Sequence, residues 1–171
     1  MPFVRTVLGD ITPAEMGLTY SHEHIIIEEG FVTMDNKDFI LNNVDKVSEE
    51  LKNFYSAGGR TVIDTMPANC GRNVLKLAEV SKRTGVHIIA PTGIHQEKYY
   101  PDNHWRYNLN ETELTDLFIK DISEGINEYD YGCPVINVKR HNAVLIKLAN
   151  ETESFPVHHT NNFRSFDEAH L

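Results

Sequence analysis

Short apolar segments alternate with amphipathic segments along this chain, and the alternation limits the folds that it can adopt. The apolar segments are rich in β-branched residues and lie at residues 18–27, 60–66, 87–93 and 142–149. Strands that are buried on both faces and separated by helices pair in parallel through right-handed crossovers. The order β-α-β-α-β-α-β therefore predicts an α/β fold, either a doubly wound open sheet or a (β/α) barrel. Because no GxGxxG motif follows the first strand, the dinucleotide-binding form of the open sheet loses support.

Three helices are predicted between these strands from apolar residues that recur at helical spacing. They cover residues 42–59, 70–86 and 110–126, and the third opens with a sequence that resembles a capping box. The residues predicted to face the core are Val44, Val47, Leu51 and Phe54 in the first helix and Val74, Leu77, Ala78 and Val80 in the second. A short strand at residues 3–8, followed by a turn, predicts a β-hairpin ahead of the series.

Two histidines flank a glutamate near the end of the first apolar segment, in the sequence LTYSHEHIII. Alternate residues of a strand face the same side, so His22 and His24 should point one way and Glu23 the other. Two imidazoles at this spacing can bind one metal ion, and their neutral nitrogens suit zinc and related divalent metals. The alternative is a pair of ordinary polar histidines at a strand end. The position at the end of the first strand of a βα series favours the metal site.

A lysine lies inside the fourth apolar segment, in the sequence AVLIKLA. A charged ammonium group in a buried strand is costly unless it is paired or modified, so Lys147 is a second candidate functional residue. Burial favours the neutral amine, which can form a Schiff base or react with CO₂ to give a carbamate that bridges two metal ions. The alternative is a lysine at the strand end that extends its ammonium group to solvent.

Several motifs together resemble one known family. The segment VRTVLGDITPAEMGLTYSHEH is similar to the N-terminus of the phosphotriesterase family in the amidohydrolase superfamily, and the resemblance continues through TVIDTM, GRNVLKLAEVSKRTGVHIIAPTG, ELTDLFIKDISEGI and IKLA. It implies the N-terminal half of a (β/α)8 TIM barrel, with about four parallel strands, as a partial hydrolase domain over residues 1–150. Residues 151–171 would then form an irregular tail outside the family pattern.

The resemblance also implies a binuclear metal centre at the C-terminal ends of the strands. Its cofactors would be two divalent metal ions, with zinc expected and manganese or cobalt as alternatives. His22 and His24 match the ligands of one metal, and Lys147 matches the carboxylated lysine that bridges both and serves catalysis. In the family, a metal-bridging hydroxide attacks a phosphorus or carbonyl centre.

The loop after the third predicted strand, residues 93–101 (GIHQEKYYP), is expected to border the substrate pocket, as loops at that face of a barrel do. His95, Lys98 and Tyr99 are the candidates for substrate contact, since a lysine and aromatic rings suit an anionic or phosphorylated substrate. The loop is similar to that of family members acting on sugar lactones, and an ordinary solvated loop is the alternative. Asp64, which ends the second strand, is expected to support the metal site or, by slight preference, to cap the helix-two side of its loop.

The function implied is that of a metal-dependent hydrolase acting on a small-molecule lactone, ester or phosphoester. The family's strands five to eight, with their metal ligands, have no counterpart in the sequence, and His158, His159 and His170 are not assigned in their place. An incomplete and poorly active hydrolase is therefore the expectation for this chain alone. The alternatives are a non-catalytic metal-binding or interaction fragment that self-associates through exposed strand edges, and a Schiff-base aldolase that uses Lys147.

Charge and composition exclude other partners. The net charge of −9 repels phosphate backbones, so nucleic acid is not an expected partner. Neither a secretory signal nor a segment long enough to cross a membrane is expected. Cys70 and Cys133 lack CxxC spacing and fit free, space-filling thiols in a reducing cytosol, so a cytoplasmic location is expected. A homo-oligomer is a further expectation, because a half-barrel would leave strand edges unpaired.

Overall fold

The structure, a computed structural model, describes residues 2–126 of the chain. Within this range the strands are β1 (Val4–Thr6), β2 (Gly9–Ile11), β3 (Leu18–Glu23), β4 (Gly59–Asp64) and β5 (His87–Ile89), and the α-helices are α1 (Val44–Ser56), α2 (Val74–Thr84) and α3 (Glu111–Glu124). The predicted fourth strand of the series and the tail, with Cys133, Lys147 and the tail histidines, lie outside the described residues. The assignments made there stay predictions.

The described strands form one parallel sheet and one hairpin. Strands β3, β4 and β5 lie side by side in that order, all parallel, with α1 connecting the first pair and α2 the second. Strands β1 and β2 pair antiparallel, with Val4 opposite Ile11, as the hairpin prediction requires. The sequence therefore predicted the α/β class, the parallel pairing and the leading hairpin correctly over this range.

Each α-helix begins at an asparagine whose side chain accepts a hydrogen bond from the backbone N–H three residues on. These N-caps are Asn43, Asn73 and Asn110, and the last forms a reciprocal capping box with Glu113. Helix α2 ends at Gly85, whose φ of 74° is a left-handed conformation that glycine adopts without steric penalty. Within residues 2–126, no helix combines the length and the apolar character that crossing a membrane demands.

The core fills the space between the sheet and the helices, and the predicted helix faces point into it. The α1 and α2 residues predicted above pack there with Ile26, Val62 and Ile88, while Val74, Leu77, Ala78 and Val80 are all buried. On the other face of the sheet, Ile63 and Ile89 pack against the hairpin. Both faces of β4 and β5 are thus covered, which is why these strands read as continuous apolar runs.

Strand β3 differs from its prediction. Its segment was expected to be strand throughout residues 18–27, but the strand ends at Glu23, and Leu18 and Tyr20 are 64% and 53% exposed. In the described part of the chain β3 pairs only with β4, so its outer side is uncovered. The apolar run that gave the buried pattern, 25–27, follows the strand and packs into the core.

Candidate metal centre

The polar residues of interest lie where the parallel strands end. His22 and Glu23 are the last residues of β3, and Asp64 is the last residue of β4. The 93–101 loop follows β5 after a short connection. Because the carboxyl ends of parallel strands meet at one edge of a sheet, these residues share the edge at which α/β folds bind their ligands.

A bulge interrupts the β3–β4 pairing next to the histidines. Tyr20 pairs with Val62 and Glu23 with Asp64, so β3 takes three residue steps where β4 takes two. A bulge adds local twist and re-aims the side chains beside it, and bulges are frequent next to functional sites. The rings of His22 and His24 nevertheless meet, with centroids 5.8 Å apart and an interplanar angle of 81°.

This arrangement fits a two-histidine metal site. Zinc lies about 2.0–2.1 Å from each ligating nitrogen, so two rings on one ion have their centres within roughly 6 Å. His24 is partly buried, and burial, followed by the charge of His22, lowers its pKa. The neutral imidazole that a metal requires is thereby favoured. Among residues 2–126 no group of three or more potential ligands comes together, and Lys147 lies outside that range.

The end of β4 holds the histidine segment by its backbone. The Glu23 carbonyl, between the two histidines, accepts hydrogen bonds from Thr65 N (2.8 Å) and Thr65 Oγ1 (3.1 Å). Ile25 N, directly after His24, donates to Asp64 Oδ2 at 3.3 Å, and Met66 N donates to Oδ1 at 2.7 Å. The backbone on either side of His24 is therefore tied to Asp64, the last residue of β4, and to Thr65, which follows it.

The preferred prediction, that Asp64 caps the helix-two side of its loop, is wrong as far as the helix is concerned. Asn73, and not Asp64, caps α2, whereas the Asp64 carboxyl reaches across to the segment that carries His24. It is completely buried, and this burial raises its pKa to about 7, although the backbone N–H donors act in the opposite direction. Asp64 thus supports the backbone next to His24, while the alternative prediction, that it supports a metal site, stays a prediction.

The three predicted substrate residues lie together in the 93–101 loop. The ring of His95 packs against that of Tyr99 with centroids 4.0 Å apart, and Lys98 Nζ lies 4.9 Å from the centre of the Tyr99 ring. His95 is buried, and its Nδ1 accepts a hydrogen bond from Gln96 N at 2.7 Å. His95 and Tyr100 are therefore held inside the fold, whereas Lys98 is exposed. Substrate contact by these residues stays a prediction.

The loop borders the same sheet edge as the histidines. Ile27 and Met66, which follow β3 and β4, form a buried cluster with Cys70 and Tyr100, against which Tyr99 packs. Burial raises the pKa of the Cys70 thiol to about 11, so it stays protonated and behaves as a small apolar residue, as predicted. Sequence reasoning missed Thr65 and the bulge, since a threonine at the end of an apolar run is ordinary and no residue type marks the bulge.

Comparison with known proteins gives consistent matches. The Phosphotriesterase family pattern matches residues 2–151. A "Phospho-furanose lactonase" of Mycoplasmopsis synoviae is 36% identical over 149 residues, which make up 85% of this chain and 42% of the relative. The crystal structure of an amidohydrolase from Mycoplasma synoviae superposes with a TM-score of 0.74 at 36% identity, covering 82% of this chain and 41% of that one. For a mutant organophosphorus hydrolase from Deinococcus radiodurans, the TM-score is 0.62 at 29% identity, with coverages of 73% and 40%. The chain spans about two fifths of the length of these relatives.

Proposed function

Because this chain belongs to the phosphotriesterase family, we propose that it acts as a metal-dependent hydrolase on a lactone, ester or phosphoester. The observation that carries the proposal is the paired His22 and His24 rings at the carboxyl end of a parallel strand. In this proposal β3, β4 and β5 are the first three strands of a (β/α)8 barrel, whose metal site lies at that end.

The proposed cofactors are two divalent metal ions, zinc first and manganese or cobalt as alternatives, which His22, His24 and a carboxylated Lys147 would hold. When bound, such ions supply Lewis acidity and a water that loses its proton near neutral pH. His22 and His24 offer ring nitrogens to one ion. Asp64 and Thr65 hold the backbone on either side of His24, which restrains the main chain that carries the two rings.

The proposed substrate class is a phosphorylated sugar lactone. A relative that is 36% identical carries the name phospho-furanose lactonase, and the 93–101 loop offers complementary groups. The exposed Lys98 ammonium suits a phosphate, and the buried His95 ring and the partly exposed Tyr99 ring form an adjoining wall whose Tyr99 side can pack against a furanose ring. The expected cytoplasmic location stays a proposal based on the sequence.

Metal content tests the proposal directly. The full chain is loaded with zinc, dialysed and analysed by plasma mass spectrometry, beside His22→Ala/His24→Ala and the control His87→Ala. His87 begins β5 and so lies at the opposite end of the parallel strands. We expect the double variant to lose bound zinc and the control to keep it. Retention of wild-type zinc by the double variant, or no zinc in the wild type, would contradict the metal site. Hydrolysis of a furanose γ-lactone 5-phosphate then tests the substrate class.

A further inference from the structure

Asn69 connects the loop between β4 and α2, residues 65–73, to the segment that follows β5 through contacts of its side chain. Its φ of 56° is positive, unlike that of any other non-glycine residue in the described range. Its Oδ1 accepts a hydrogen bond from Trp105 Nε1 at 2.7 Å and lies 3.3 Å from His104 Nε2. Since the indole nitrogen can only donate, the amide oxygen of Asn69 must face it, which fixes the orientation of the side chain.

Tyr100 forms a second connection between the same two segments. Its hydroxyl donates to the Ala68 carbonyl at 3.1 Å and accepts from His95 N at 2.6 Å, while Ala68 N donates to the Gly93 carbonyl at 3.4 Å. Tyr100 is 3% exposed, and burial raises its pKa, so the hydroxyl keeps the proton that it donates. Loss of this hydroxyl would leave the buried His95 N–H without its acceptor.

These contacts bear on the position of the His95 ring. With its backbone held by Tyr100, His95 turns Nδ1 towards Gln96 N, which can only donate, so a neutral ring carries its proton on Nε2. The same geometry places the ring 4.0 Å from Tyr99, centroid to centroid. Tyr100, which accepts from His95 N, also packs its ring against that of His104 with centroids 4.4 Å apart, so the contacts that Asn69 and Ala68 make with this segment lead to His95 through Tyr100.

We propose that Tyr100 and Asn69 are positioning residues, which hold the His95–Tyr99 wall of the 93–101 loop in the arrangement that binds substrate. Neither side chain need touch the substrate or the metal. The proposal rests on the proposed function only in taking His95 and Tyr99 as substrate contacts. It predicts effects on substrate affinity that are separate from metal content and from turnover.

The first test observes the His95 ring itself by nitrogen-15 imidazole NMR of the full chain, at a pH where the ring is neutral. Tyr100→Phe removes only the hydroxyl, and Asn69→Gly keeps the positive φ but removes the acceptor. Asn69→Asp keeps both, and Tyr107→Phe alters an exposed tyrosine of the same segment. We expect wild type, Asn69→Asp and Tyr107→Phe to show the Nε2-protonated tautomer with contacts to Tyr99. Tyr100→Phe and Asn69→Gly should show averaged tautomers and lose those contacts.

The second test measures steady-state kinetics and binding of a furanose γ-lactone 5-phosphate with the zinc-loaded full chain. We expect KM or Kd to rise about tenfold in Tyr100→Phe and Asn69→Gly, the size of one lost hydrogen bond, with zinc content and kcat unchanged. An unaltered His95 signature or unaltered affinity in these variants would overturn the proposal. So would a parallel fall of kcat, zinc content and melting temperature, which marks a purely structural role. If the wild type neither binds nor hydrolyses the lactone while the variants still lose the NMR signature of the His95 tautomer, the proposed substrate is wrong and the positioning of His95 stands.

Discussion

Asp64 gives the sharpest prediction, because its buried carboxyl couples the stability of the fold to pH. Its pKa rises from an ordinary value of 3.8 to about 7 in the folded chain, since burial disfavours the charged form. The folded state therefore binds a proton that the unfolded state releases at lower pH. The contribution of this bound proton to the free energy of unfolding is fully present below pH 3.8 and is lost as pH rises through about 7.

The magnitude follows from that difference. Each unit of difference between the folded and unfolded pKa corresponds to about 1.4 kcal/mol, so the whole effect is about 4 kcal/mol. Integrated between pH 5 and pH 8 alone, the expected loss is roughly 2–3 kcal/mol. The perturbation is Asp64→Asn, which cannot ionise and has one acceptor oxygen for the two N–H groups of Ile25 and Met66. At pH 5 the variant should be less stable than wild type by about 1–3 kcal/mol.

The assay is urea denaturation of the metal-free full chain, in the presence of a chelator, at pH 5, 6, 7 and 8. The difference in unfolding free energy between wild type and Asp64→Asn isolates this carboxyl, because other titrating groups are common to both. That difference should shrink by roughly 2–3 kcal/mol from pH 5 to pH 8 and pass near zero or change sign. A difference that stays constant over this range, or one that grows with pH, would refute the reasoning that Asp64 is buried and protonated.

Three further predictions concern the site and the core. Thr65→Val removes the Oγ1 hydrogen bond to the Glu23 carbonyl while keeping side-chain volume. It should weaken zinc binding several-fold in a competitive titration and lower the free energy of unfolding by about 1 kcal/mol. Unchanged zinc affinity would contradict the backbone support of the histidines. Lys98→Met should raise KM for a phosphorylated lactone but not for its unphosphorylated counterpart. The melting temperature should change little because Lys98 is exposed. Equal effects on both substrates would exclude phosphate recognition by Lys98. Leu77→Ala, at a side chain with 0% exposure, should destabilise the chain by about 2–5 kcal/mol in urea, and a loss below 1 kcal/mol would show that α2 does not pack as described.

Local patterns predicted the helices and the strand order because the physical causes are local. Val47, Leu51 and Phe54 recur at helical spacing, and spacing alone decides which side of α1 meets the sheet. The hairpin and the three parallel strands follow in the same way from short apolar runs and the helices between them. The pairing of His22 with His24 also needs only the spacing of residues along one strand, and the bulge did not separate the two rings.

The remaining features depend on contacts between distant parts of the chain. Asp64 and Ile25 are separated by 39 residues, and nothing near Asp64 in sequence reveals that its carboxyl accepts a hydrogen bond from Ile25 N. Leu18 is exposed because β3 lies at the edge of the described sheet, and in sequence this residue looks equally apolar whether or not a neighbour covers it. The left-handed Asn69 lies in a loop with one proline and one glycine, a weak turn signal that does not identify Trp105 as its partner.

The central claim is that His22 and His24 form one half of a metal centre, and a crystal structure of the zinc-loaded full chain tests it most directly. Anomalous scattering collected at the zinc edge locates the ion without reference to the protein atoms. We expect an anomalous peak between the two rings, about 2.0–2.1 Å from one nitrogen of each. A zinc-loaded crystal whose anomalous peak lies elsewhere, with both rings free of metal, would contradict it.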